Sequence, residues 1–126
     1  MRGPITPAAI AMAAILLSTA PSLAGEADVI AAEALPQSNG LWRFDVTVSH
    51  ADTGWDHYAD AWEVLAPDGT VLGVRELLHP HVDEQPFTRS LSGVEIPDGV
   101  STVTIRAHDS VHGYGGATFQ ITLPGR

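Results

Sequence analysis

A chain of 126 residues, 44% of them hydrophobic and 17% charged, has the length and composition of a single globular domain. Its six cationic side chains are all arginine and stand against 15 acidic ones, giving a net charge of -9. That sign repels phosphate backbones and anionic headgroups, which argues against nucleic acid and membrane surfaces as partners and favours cations.

The first segment reads as an export signal. Arg2 gives a positive start, Ala8 to Leu17 is an apolar run, and Ser22-Leu23-Ala24 carries small residues at the two positions a signal peptidase inspects. Residues 1–24 are therefore expected to be removed, leaving 25–126 as one domain, periplasmic or secreted. The run is about half of the ~20 residues a membrane span requires, so no stable membrane insertion is expected. Cysteine is absent. A domain of this size buries roughly two thirds of its unfolded surface and folds without disulfides. Both methionines, Met1 and Met12, lie in the signal segment, so neither thiolate nor thioether remains as a soft metal ligand.

Seven strands and no helix are expected after the signal. Asp28 to Leu35 is the first, ended by the turn residues Pro36-Gln37-Ser38-Asn39-Gly40. Leu41 to Ser49 is the clearest: Trp42, Phe44, Val46 and Val48 alternate with Arg43, Asp45 and Thr47 at the period of a half-buried strand, and His50 continues on the apolar parity. Ala61 to Ala66 follows, turned by Pro67-Asp68-Gly69 into Thr70 to Leu78. Leu91 to Ile96 precedes a second Pro-Asp-Gly turn at residues 97–99, and Val100 to Ala107 and Ala117 to Leu123 complete the set. Seven short strands at regular spacing give the pattern of an immunoglobulin-like β-sandwich, with Trp62 as its buried tryptophan, although the cysteine pair and the tyrosine corner of that fold are missing.

Strands that run up and down place alternate connections at opposite ends. The three turns rich in Pro and Gly then share one end, and the segments of about 50–60, 79–87 and 108–116 share the other. Those three segments hold all six histidines: His50, His57, His79, His81, His108 and His112. They also carry Trp55, Tyr58 and Tyr114 and the carboxylates Asp52 and Asp109. Loops on a rigid sandwich are a usual place for a binding surface.

The wording of these segments, HADTGWDHYADAWEVLAPDG, LLHPHVDEQPFTRSL and AHDSVHGYGG, resembles that of a group of uncharacterised small exported bacterial β-sandwich proteins. The resemblance runs from about His50 onward and implies one intact domain. It brings no activity, ligand or site.

Neutral imidazole is the commonest protein ligand for zinc and copper(II). His79-Pro80-His81 puts two imidazoles on one side of an extended backbone, an extension that the proline favours in the residue before it. His108 and His112 are four apart across a glycine-rich turn, His50 and His57 flank the first loop, and Asp52 or Asp109 could supply an oxygen ligand or orient an imidazole. The spacing matches no zinc finger or metalloprotease helix. The competing reading needs no ligand: Asp, His and Ser side chains often pin long loops through bonds to backbone. His50, on the core parity, fits that reading as well as it fits a ligand, and Trp55 and Tyr58 read as loop anchors on the sandwich edge. Ser110 beside Asp109 and His112 has the residue types of a hydrolytic triad without the strained elbow that exposes a nucleophile, so a serine hydrolase is disfavoured. The sequence thus predicts an exported metal-binding domain for zinc or copper(II), serving buffering, delivery or sensing. The alternative is an interaction module that uses the same loops to contact a protein of the envelope.

Overall fold

The computed structural model describes residues 25–126, so the expected signal segment at 1–24 lies outside the described residues. Eight strands are present: β1 (Asp28–Pro36), β2 (Trp42–Ser49), β3 (Ala59–Leu65), β4 (Val71–Glu76), β5 (Phe87–Val94), β6 (Thr102–Asp109), β7 (Gly113–Tyr114) and β8 (Phe119–Thr122). No helix occurs among the described residues. All pairings are antiparallel. One sheet has the order β1-β2-β5; the other runs β4-β3-β6-β7, with β8 also paired to β6.

The two sheets pack face to face because each strand alternates. In β2 the buried residues are Trp42, Phe44, Val46 and Val48, and in β6 they are Val103, Ile105, Ala107 and Asp109. Phe87 and Val94 add to the first inner face, and Ala59, Trp62 and Val64 to the second. Burying side chains such as Phe44, Phe87 and Ile105 is worth about 1.5–3 kcal/mol each. Trp62 is fully buried, as expected, and its cross-strand neighbour on β6 is the small Ala107. A large ring opposite a methyl lets the layer close without a void.

The tight turns behave as their residues require. Gly69 takes a φ of 91°, which only glycine adopts cheaply, while the Asp68 carboxylate accepts a 3.0 Å bond from Thr70 N. The fold departs from the constant-type immunoglobulin arrangement, in which the fourth strand lies beside the fifth. Here β4 pairs with β3 in the other sheet.

Most strand boundaries shift by one or two residues from expectation, and the changes at β5 and β6 matter most. β5 starts at Phe87, four residues before Leu91, since Thr88 and Arg89 pair with Thr47 and Val46 without showing a clean apolar alternation. β6 runs two residues beyond Ala107 to Asp109, and Gly113–Tyr114 folds back on it as a strand of its own. The reversal count holds: Asp28 stands opposite Ser49, Phe87 opposite Val48, Ala59 opposite Asp109 and Glu76 opposite Ala61. The connections bearing the histidines therefore leave from one end of the sandwich.

Candidate metal centre

His50 and Asp109 are the next inward positions of the two central strands. His50 follows Val48 on the parity of β2, and Asp109 follows Ala107 on that of β6. Where the core would otherwise end in an apolar cap, each sheet contributes a polar group. Their side chains have no solvent exposure, and His50 Nε2 lies 3.8 Å from Asp109 Oδ2.

His57 reaches the pair from the β2–β3 loop, which a narrow Gly54–His57 bridge constricts. Its Nε2 lies 2.7 Å from Asp109 Oδ2, and the His50 and His57 rings meet edge to face at 4.8 Å. One ligand atom from each of His50, His57 and Asp109 falls within 4.8 Å of the others. Neighbouring ligands on a tetrahedral zinc, with bonds near 2.0–2.2 Å, stand roughly 3.3–3.5 Å apart. The observed 2.7 and 3.8 Å separations straddle that value.

His112 borders the group from the loop after β6. Its Nδ1 is 3.1 Å from Asp109 Oδ2, and its ring centroid is 5.0 Å from that of His57. Side-chain exposure rises from 0% at His50 through 14% at His57 to 36% at His112, so the group opens to solvent on the His112 side.

Asp109 is used asymmetrically. Oδ2 accepts from the His57 ring, the His112 ring, His112 N and Val111 N, whereas Oδ1 is buried without any partner. Burial by itself would raise the Asp109 pKa, but the bonds from His112, His57 and Val111 outweigh it and hold the carboxyl below its ordinary value. The result is a buried anion with one bare oxygen. Leaving a buried acceptor unsatisfied costs about 1–3 kcal/mol, more for a charged group, and a cation is the natural occupant of such a position.

Asp52 stands behind His50. The His50 Nδ1–H donates to Asp52 Oδ1 at 2.5 Å, and the same carboxylate accepts from Ala59 N at 3.0 Å and from His81 N at 2.7 Å. This is the arrangement in which a carboxylate orients a ligating histidine, and Nε2, the nitrogen that would face a metal, here donates to the Gly25 carbonyl oxygen at 2.9 Å. Asp52 thus supports His50, and it also ties the three segments 50–52, 59 and 81 together.

The remaining expected ligands lie elsewhere. His79 and His81 face each other at 4.6 Å, but His81 stacks flat on Phe87 at 4.0 Å and its Nε2 accepts from Arg89 Nη2 at 2.9 Å. With Nε2 so engaged, the proton belongs on Nδ1, which is buried and unpartnered. His108 points outward from β6, its Nδ1 2.5 Å from Asp60 Oδ1, into a cleft bordered by Tyr58, Glu63, Glu76 and Tyr114. The structure therefore joins His50, His57, Asp109 and His112, with Asp52 behind them, and keeps the His-Pro-His pair and His108 apart. Trp55, read as an anchor, is instead 67% exposed, touching Tyr58 edge to face.

Burial first, then the positive charge of Arg89 and the neighbouring His79, lowers the His81 pKa below the ordinary histidine value. The unfolded chain takes up this proton more readily than the folded one. Stability from neutral His81 is therefore complete above about pH 6.5 and declines as pH falls toward the folded value. With a chelator present, the melting temperature of wild type should drop between pH 7 and pH 5, and His81→Gln should show a shallower drop. Parallel pH profiles in the two proteins would refute this.

No family model matches the chain, and no solved structure does. A protein of Halomicrobium mukohataei named "Putative lipoprotein" is 52% identical over 73 residues, which are 58% of this chain and 35% of that protein. The chain thus spans about a third of the length of this relative.

Proposed function

We propose that the domain works in the cell envelope and binds a divalent transition metal, zinc or copper(II), through His50 Nε2, His57 Nε2 and Asp109, with His112 at the open side. The role proposed for it is buffering, delivery or sensing. The buried carboxylate of Asp109, whose Oδ2 meets three imidazoles while its Oδ1 has no partner, carries the reading. A nitrogen and oxygen donor set without sulfur suits zinc and copper(II) and is poor for reduced copper. The relative's name, that of a lipoprotein, supports export to the envelope, periplasmic or secreted, as does the sequence of residues 1–24.

A metal that binds only the folded state at a hundred times its dissociation constant adds about 2.7 kcal/mol of stability. For a domain of this size that raises the melting temperature by roughly 10–20 °C. Scanning calorimetry of tag-free protein at pH 7.5 should show this shift with zinc or copper(II). His50→Ala and His57→Ala should abolish it, and the double change His79→Ala with His81→Ala should retain it. An unchanged wild-type melting temperature would reject the metal reading.

One observation favours a second reading. Trp55, Leu78, Val82 and Val111 are large, exposed apolar residues, and all belong to the loops of the histidine end. Exposed apolar side chains on these loops suit contact with an envelope protein if they adjoin, and this reading takes over if the calorimetry shows no metal.

A further inference from the structure

The outer face of the second sheet carries a cleft that the metal centre does not use. Glu76 on β4, Ala61 on β3, His108 on β6 and Tyr114 on β7 stand in register across four strands. Three of these side chains are long, and the one between Glu76 and His108 is a methyl. The row therefore has a gap inside it, which opens into a cleft of 460 Å³. Small-ligand sites occupy about 300–1,000 Å³. Val74 and Leu78, 47% and 73% exposed, give the cleft an apolar wall that nothing covers among the described residues.

The polar groups of the cleft are fixed in place. Glu63 accepts from Arg106 Nε at 2.9 Å on Oε1 and from the Tyr114 hydroxyl at 2.8 Å on Oε2. The Arg106 guanidinium lies 3.7 Å over the Tyr114 ring, and His108 Nδ1 bonds to Asp60 Oδ1 at 2.5 Å. Three carboxylates, Asp60, Glu63 and Glu76, thus face two groups able to carry positive charge, Arg106 and His108, so the cleft is anionic in either protonation state of His108. Carboxylates only accept hydrogen bonds, so a ligand must bring the donors and the positive charge. Among the described residues only His50, His57 and Asp109 gather closely enough for a bare metal ion. The cleft suits instead a cation with an apolar body.

We propose that it binds a primary ammonium group on a short aliphatic chain, with the ammonium at Glu76 and Asp60 and the chain along Ala61, Val74 and Leu78. A free alkylamine carries such a group, and so does a lysine side chain of another protein; this chain has no lysine of its own. None of His50, His57, Asp109 and His112 lines the cleft, so the proposal stands or falls apart from the metal reading.

Titration of the metal-free, 15N-labelled full chain with n-pentylamine at pH 7.5, followed through the amide resonances, tests it. The shifts should concentrate at Ala61, Glu63, Glu76 and Tyr114. Each methylene that the apolar wall covers strengthens binding by up to about fourfold, so ethylamine should bind about tenfold more weakly. The uncharged 1-pentanol should leave these amides unmoved. Glu76→Gln, at an exposed position of an edge strand, should keep the fold and weaken n-pentylamine about fivefold, the upper range for an exposed ion pair. Ala61→Leu should fill the gap and abolish binding. Nα-acetyl-lysine N-methylamide separates the two sources: binding as tight as that of n-pentylamine assigns the cleft to a lysine of a partner protein, and weaker binding or none assigns it to a free amine. Absence of shifts with n-pentylamine, equal affinity for ethylamine and n-pentylamine, or wild-type affinity in both variants would overturn the proposal.

Discussion

Asp109→Asn is expected to lower zinc or copper(II) affinity by about a hundredfold or more. Losing a group that merely orients a ligand costs 10–100-fold as a rule, and Asp109 contributes both the anionic charge and the oxygen itself. The carboxylate also collects four hydrogen bonds on Oδ2 from His57, His112 and Val111. Asparagine keeps the shape but surrenders the charge that strengthens those bonds. The metal-free variant should therefore lose about 2–3 kcal/mol, in the range of a charged hydrogen bond. The acid limb should change as well. A carboxyl held below its ordinary pKa in the fold contributes stability above about pH 4, and that stability disappears as pH falls through the folded value. Asparagine does not titrate, so the variant should lack that part of the acid decline. Titration calorimetry and chemical denaturation across pH check all three. Wild-type metal affinity in Asp109→Asn would remove this residue from the centre.

Both strands that carry the group could be read from the sequence, and one half of the group was legible too. The apolar parity of Trp42, Phe44, Val46 and Val48 leads directly to His50, whose inward position the structure confirms. The same parity in Val103, Ile105 and Ala107 leads to Asp109, but a strand ended at Ala107 conceals it. A carboxylate looks like the first residue of a loop because carboxylates rarely occupy core positions. The His-Pro-His spacing is a local signal, whereas the partners of His81 are Arg89 and Phe87, brought close by the course of the following loop. Which sheet β4 joins is likewise a matter of pairing between distant segments, and periodicity along one strand says nothing about it. The reversal count worked because it needs only the alternation of ends and not the partition of strands between sheets.

Asp52 offers the sharpest separation between a loop tie and a support for the metal. Its two oxygens accept from His50 Nδ1, Ala59 N and His81 N, all buried. Asp52→Ala strands three donors at once, and at about 1–3 kcal/mol for each unsatisfied group the cost should reach roughly 3–5 kcal/mol, a large share of the stability of a small domain. Asp52→Asn is the more informative change. Its amide oxygen still accepts, so the loops keep part of their connection and the loss should stay near 1–2 kcal/mol. The neutral amide no longer polarises His50, and its NH2 group turns a donor toward one of the three donors that the carboxylate served. Removing a carboxylate of this kind lowers metal affinity 10–100-fold elsewhere, and the same range is expected here, with the metal-free fold retained. The two quantities should therefore separate: a modest shift in the denaturation midpoint of metal-free protein beside a large rise in the dissociation constant for zinc. If stability and affinity fall together in proportion, or if affinity does not change, Asp52 serves only to pin the loops, and His50 is oriented by the packing of the strand end alone.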